Sequence, residues 1–315
     1  MTTRTAKLPA YAKINLSLKV LGKRPDGFHE IRSVFQTIGL HDTIEFEFTP
    51  GRRTSIELQD ALNIDDNLVV RAARLFFETK NASGTLKMRL TKRTPMGGGL
   101  GGGSSDAACT LLALPALTGR NASLGELSEM GAKLGSDVPF FLTGGAALGL
   151  GRGEELYPLP EPKPLPVLVL APPLHVSTPA AYRALNRPAL TEIDGIATLK
   201  TFQSFVWQAY CAQAAENDFE DAVFQLHPEL ERWRRKLERH GAHSARLSGS
   251  GAALFGVFPD RAKLQGALPR FRPEPLQVFS TNMVTRARYQ AAYWRGLRGH
   301  AVSGKWPPQS VHKSA

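Results

Sequence analysis

"PMGGGLGGGSSDAA", residues 95–108, places six glycines in the seven positions 97–103 and then runs into Ser104, Ser105, Asp106 and two alanines. Glycine loses more conformational freedom on folding than any other residue, so a run this dense needs a structural reason. Ahead of it, "LKMRL" at 86–90 alternates apolar and charged residues as a strand does. Behind it, "SSDAACTLLAL" at 104–114 reads as a helix, with Ser104 or Ser105 as cap and Ala107, Ala108, Leu111 and Leu112 as its inner stripe. A strand, a bare loop and a helix start together form an anion site. Main-chain N–H groups face one concavity, the helix dipole adds positive potential, and no Cβ keeps phosphate oxygens away.

The type of phosphate loop is narrowed by what is missing. A Walker A loop needs a lysine after its last glycine, and none follows here. Residues 97–102 satisfy G-x-G-x-x-G, a pattern that so many glycines nearly guarantee. A dinucleotide fold would also end its next strand on an acidic residue about 20 positions later. That spacing falls at Glu126, inside a predicted helix that starts at Ser123 with a capping box and stops near Gly135. A dinucleotide-dependent oxidoreductase is therefore the weaker alternative.

Outward from the loop, "AKINLSLKV" at 12–20 alternates Ile14, Leu16, Leu18 and Val20 with Lys13, Asn15, Ser17 and Lys19, a strand with one solvated face. "TIEFEFT" at 43–49 is a second such strand, and "DDNLVVRAARLFFETK" at 65–80 a helix opened by an acidic cap. "GSDVP" at 135–139 is a loop. The prolines of "YPLPEPKPLP" at 157–166 mark a connection. Beyond it come a buried strand at 167–171, a helix from "STPAAYRAL" at 177–185, a charged helix at 228–241, and "ARLSGSGAALFGVF" at 245–258, a glycine loop feeding a strand. Expected domains are 1–156 and 157–290, followed by a basic, flexible tail at 291–315.

The chain has 315 residues, 42% of them apolar and none in a run long enough to span a bilayer, and no apolar segment opens it as a leader would. Cys109 and Cys211 match no metal or redox spacing, so both are expected as reduced thiols of a cytoplasmic protein. The net charge is +11, and from residue 286 onward six basic residues face no acid. Such a tail could touch nucleic acid, but a solvated terminus is the expected state, with neither nucleic acid nor membrane as partner. The chain is expected as a monomer or homodimer.

The glycine run resembles the phosphate loop of the GHMP kinases, which include galactokinase, homoserine kinase and mevalonate kinase. "AYAKINLSLKVLGKRPDGFHEIRSVFQ", "DDNLVVRAA", "KLGSDVPFFLTGGAALGLGRGE" and "ARLSGSGAALFGVF" extend the likeness in the same order, from about residue 8 to about 290. They point to the branch that phosphorylates 4-diphosphocytidyl-2-C-methyl-D-erythritol. The resemblance implies an α/β (α+β) fold of two domains with the active site in the cleft between them. The N-terminal domain would be a nucleotide-binding unit like ribosomal protein S5 domain 2, and the C-terminal one a ferredoxin-like substrate domain.

ATP is then the co-substrate, held by Pro95, Met96, Gly97, Gly98, Gly99, Leu100, Gly101, Gly102, Gly103, Ser104 and Ser105, with Asn67, Leu68 and Lys92 near the adenine. Taken without the resemblance, Lys92 reads as a solvated surface lysine. Mg²⁺ is expected with ATP, its protein ligands unknown; Glu126 and Glu129 are candidates that helix-start chemistry also explains. Asp137 matches the catalytic aspartate of the family, and Lys13 would hold it ionised while drawing charge from the moving phosphoryl group. Asn15, about 7 Å along the strand from Lys13, would contact the acceptor. Phe28, His29 and Tyr182 would take the cytosine, with Phe28 standing where the family usually has tyrosine. Ser248, Gly249, Ser250 and Gly251 would approach the acceptor or the transferring phosphate from the second domain. Homoserine or mevalonate kinase is the nearest alternative; aromatics at 28 and 182 beside His29 favour a nucleotide-bearing acceptor.

Overall fold

A computed structural model describes residues 2–161, 163–186, 216–302 and 304–312. Its first body is built on a long hairpin, β1 (Arg4–Lys23) and β2 (His29–Pro50). β4 (Gly84–Thr91) pairs with Thr43–Pro50 of β2 and β5 (Ala146–Leu150) with Ser33–Gln36, both along the edge that β1 leaves free. β3 (Ser55–Asp60) runs parallel to β4, and β6 (Glu155–Pro158) closes the far edge. Tyr157 and Pro158 thus belong to this sheet rather than to a connection.

Two helices lie on the sheet, α1 (Leu68–Lys80) and α2 (Gly102–Thr118), and α3 (Leu124–Leu134) packs against both of them. The cap of α1 is Asn67, whose side chain accepts from the Val69 N–H; the aspartates before it do not serve. α3 starts with the expected capping box between Ser123 and Glu126. α2 departs further from expectation. It is buried on all sides from Ser105 to Thr118, so no single inner stripe exists, and it begins at Gly102 with Gly101 as a cap that has no side-chain bond. Ser104 and Ser105 lie inside its first turn. A single turn, α4 (Val138–Phe141), follows α3.

The second body is a four-stranded antiparallel sheet in the order β10-β7-β9-β8, from β7 (Pro166–Ala171), β8 (Ser244–Leu247), β9 (Leu254–Val257) and β10 (Gln277–Asn282). With α5 (Thr178–Leu185), α6 (Phe219–Leu226), α7 (Pro228–Arg239) and α8 (Arg261–Ala267) between the strands, the chain order is β-α-β-β-α-β, the ferredoxin-like arrangement. Trp233, Leu237, Phe258 and Phe271 fill the core between these helices and the sheet.

The C-terminal segment is not a free tail. Helix α9 (Arg286–Gly296) returns to the first body and buries Tyr289, Tyr293 and then Leu297 completely. Aromatic residues four apart form one helix face, and that face outweighs the basic composition that suggested solvation. Cys109 is a buried free thiol under this helix; Cys211 and Lys313 lie outside the described residues. Among the described residues, no helix is long and apolar enough to cross a membrane.

Candidate active site

A cleft of about 420 Å³ runs from Asn67 and Leu68, past Lys92 and the whole glycine run, to Asp137. The geometry of the run answers why it is bare. Gly97, Gly99 and Gly101 have φ of +69°, +75° and +71°, and the residues between them do not. Alternating hand turns successive N–H groups toward one side, which makes an anion cradle. The N-terminal N–H groups of α2, with no capping side chain, extend it, and the helix dipole has its positive end there.

Bareness serves packing as well. A Cβ on Gly99 would lie 1.9 Å from the Ser248 carbonyl oxygen, and one on Gly101 would meet Phe141 at 2.7 Å and Lys13 at 3.2 Å. The Ser248 hydroxyl donates to the Gly99 carbonyl at 3.0 Å, and the Ala253 N–H to Gly98 at 3.2 Å. The two glycine loops, one from each body, are therefore in main-chain contact. Asn217, at the start of α6, holds the second loop by donating to the Leu247 and Gly249 carbonyls at 2.8 and 2.9 Å. The Thr178 and Ser250 hydroxyls pair at 2.9 Å.

Lys13 and Asn15 occupy the polar side of β1, yet they are only 4% and 1% exposed, because the glycine run and the second body cover that face. A β-bulge between Tyr11 and Lys13 frees the Lys13 N–H from the ladder, and it donates to Leu100 in the glycine run at 2.9 Å. The Lys13 ammonium then reaches Asn15 Oδ1 at 2.7 Å and Asp137 Oδ2 at 3.4 Å. Asn15 is fixed in turn by donating to Ser33 Oγ at 2.6 Å. Asp137 sits at the N-cap of α4 without capping it, so its carboxylate is left to Lys13 and the cleft.

Lys92 is not a surface lysine. It donates to Asp42 and, at 2.7 Å, to Asp106. Burial alone would lower its pKa, but the two carboxylates outweigh burial and raise it. Asp42 also accepts from the Thr94 N–H at 2.7 Å and thereby fixes the strand end that enters the glycine run. Burial pushes the Asp106 carboxyl up to about 7 against the pull of Lys92. Neither aspartate stands out in the sequence; the one trace of Asp106 is its place directly after the serine pair.

The residues expected to take the acceptor are arranged differently from expectation. His29 and Tyr182 do come together, but as a direct stack with centroids 4.3 Å apart and planes at 20°. Burial, and then the charge of Asp137, push the Tyr182 hydroxyl up to about 12. Phe28 stands apart, 55% exposed, with the Arg152 guanidinium 4.9 Å from its ring. Glu126 is occupied as a cap and by Lys80 at 2.7 Å, and no group of three or more His, Cys, Asp or Glu among the described residues could hold a metal ion.

Comparison with known proteins gives a consistent result. The family model for the GHMP kinases N terminal domain matches residues 67–145, and that for the GHMP kinases C terminal matches 207–273. A protein of Solibacter usitatus (strain Ellin6076) named 4-diphosphocytidyl-2-C-methyl-D-erythritol kinase is 52% identical, over 98% of each chain. One of the same name from Geobacillus kaustophilus (strain HTA426) is 38% identical over 88% of this chain and 96% of its own. A crystal structure of 4-(cytidine 5'-diphospho)-2C-methyl-D-erythritol kinase superposes with a TM-score of 0.73 at 35% identity, covering 88% of this chain and 98% of the other. The homoserine kinase of Cytophaga hutchinsonii shares the fold, with a TM-score of 0.66 at 19% identity over 89% of this chain and 95% of its own.

Proposed function

Since the chain belongs to the 4-diphosphocytidyl-2-C-methyl-D-erythritol kinases of the GHMP family, we propose that it moves the γ-phosphoryl group of ATP to the 2-hydroxyl of that cytidylyl alcohol. The products are the 2-phosphate and ADP, a step of the methylerythritol phosphate route to isoprenoid precursors. The observation that carries the assignment of roles is the single cleft that joins the adenine end at Asn67 to Asp137, with the glycine run between.

The cradle of N–H groups at 97–103 takes the triphosphate, and Mg²⁺ enters with ATP as part of the substrate. The acceptor oxygen attacks the γ-phosphorus as its proton passes to Asp137, and the bond to the bridging oxygen of ADP breaks. Little covalent work falls to the protein in such a loose transition state; positioning and charge neutralisation dominate. Lys13, 3.4 Å from Asp137, neutralises both the carboxylate and the equatorial oxygens of the moving group. Asn15, locked by Ser33, presents its amide edge to the acceptor. Ser248–Gly251 closes over the phosphates because it already rests on Gly99. The cytosine enters by parting or extending the His29–Tyr182 stack, and Phe28 offers an exposed third ring. The cytoplasm is the compartment in which ATP and such an acceptor meet.

The test is a panel: purified protein, labelled ATP, and the cytidylyl alcohol, homoserine and mevalonate as acceptors. Label should appear on the cytidylyl compound alone. Transfer to homoserine or mevalonate, with none to the cytidylyl alcohol, overturns the proposal.

A further inference from the structure

Asp137 is carried by α4, a helix of one turn. A single turn does not stabilise itself, because nucleation fixes several residues for one hydrogen bond. Its last carbonyls have no helical partners and must find others. Two are met locally: Leu142 N–H donates to Pro139 at 3.1 Å and Gly144 N–H to Phe140 at 3.0 Å. The next two are met from the far end of the chain. The Tyr289 hydroxyl donates to the Phe141 carbonyl, and the Trp306 indole N–H to the Leu142 carbonyl at 2.9 Å.

Those two donors are themselves set in place. Tyr289 lies flush on Gly144, where a Cβ would come within 2.5 Å of its ring. Trp306 packs edge-on to Tyr293 and Trp294, with centroids 5.8 and 5.9 Å away. The strap is then tied down past Trp306, where Gln309 Nε2 donates to Ala122 at 2.8 Å and Ser310 Oγ to Ala116 at 3.1 Å. The segment thus reaches from the end of α2 to the turn that bears Asp137, without touching the cleft.

We infer that Trp306 and Tyr289 are positioning residues for phosphoryl transfer: the C-terminal strap sets the register of Asp137 against Lys13 by completing the hydrogen bonds of α4. The inference rests on Asp137 being the base. Trp306→Phe keeps the ring packing and removes the one N–H; Tyr289→Phe is the companion variant, so that a folding failure in one leaves the other. Turnover should fall about tenfold in each, since displacements below 1 Å at a reacting group are costly, while KM for ATP and for the acceptor stays within about twofold. A purely structural role would lower the melting temperature and leave turnover of the folded fraction alone.

The closing experiment is a double-mutant cycle with Asp137→Ala. If the strap acts through Asp137, adding Trp306→Phe to Asp137→Ala changes the residual turnover no further. Wild-type turnover in both Phe variants, or an equal tenfold loss in the Asp137→Ala background, overturns the inference while leaving the base in place. Wild-type turnover of Asp137→Ala alone instead overturns the base.

Discussion

Replacing Gly99 by alanine tests whether the glycine run is a joint between the two bodies as well as the proposed phosphate cradle. The methyl group would sit 1.9 Å from the Ser248 carbonyl oxygen, so the loops must part by about 1.5 Å to reach ordinary contact. The obstacle is backbone and cannot rotate away. The residue also has φ +75°, a left-handed conformation that costs a non-glycine residue roughly 1–2 kcal/mol. Parting the loops breaks the bond from Ser248 Oγ to Gly99, about 1 kcal/mol more. Together these give a loss on the order of 2–3 kcal/mol, and a shift above 1 Å between donor and acceptor halves should lower kcat/KM at least 100-fold. Coupled-assay kinetics and thermal unfolding would measure both. Gly103→Ala is the internal control for the melting temperature alone: its methyl meets only Leu68, at 3.6 Å, inside a helix, where alanine gains up to about 1 kcal/mol over glycine. A Gly99→Ala enzyme with wild-type kcat/KM and melting temperature would refute the reasoning.

Asp137→Ala should cut turnover by about 10²–10⁴ with little change in KM for ATP, as loss of a proton acceptor does; unchanged turnover in steady-state assays would remove it from that role. Tyr182→Ala should raise KM for the acceptor by roughly 5- to 150-fold, the equivalent of about 1–3 kcal/mol for one stacked base, with KM for ATP unmoved. An effect on ATP instead would place the cytosine elsewhere. Glu220, in α6, accepts from the Leu247 N–H, and burial pushes its carboxyl from 4.5 up to about 7 against that bond and the charges of Arg246 and Arg234. Between those pH values the folded protein keeps a proton that the unfolded chain has released, so this group lowers stability as pH rises from 4.5 toward 7. Glu220→Gln keeps the acceptor and removes the titration, so it should be more stable than wild type at pH 8, by on the order of 1–3 kcal/mol, and equal to it below pH 4.5. Denaturant unfolding at both pH values checks this.

What could be read from the sequence was local. The capping box at Ser123, the alternation in β1 and β2 and the strand–glycine–helix succession are each decided within one continuous stretch of chain, and the structure keeps all three. Burial of the polar side of β1 could not be read, because its cover comes from the glycine run and from residues from 216 onward, such as Glu216, whose carbonyl accepts from Ser17 Oγ at 3.3 Å. The ion triad of Asp42, Lys92 and Asp106 joins a strand, a strand end and a helix through pairs 50 and 14 positions apart. No periodicity marks such pairs. The tail misled through composition: its arginines suggested solvation, while Tyr289, Tyr293 and Trp306 decide where it lies.

The same contrast explains why one glycine run meets two demands. A cradle for phosphate needs alternating backbone hand, which Gly97, Gly99 and Gly101 supply from within the loop. Transfer further needs the acceptor half to stand at a fixed distance from that cradle. Gly99, with Ser248 against it, and Gly101, with Lys13 and Phe141 against it, set the distance by letting second-body backbone, the aliphatic stem of Lys13 and the α4 turn come as close as a Cα permits. Any side chain at either position would push apart the groups whose separation governs the reaction. Substitution at Gly97, where His175 Nδ1 is the nearest neighbour at 3.1 Å, meets only a side chain able to swing aside. Damage should therefore be graded along the loop by what faces each glycine, and not by its nearness to phosphate alone.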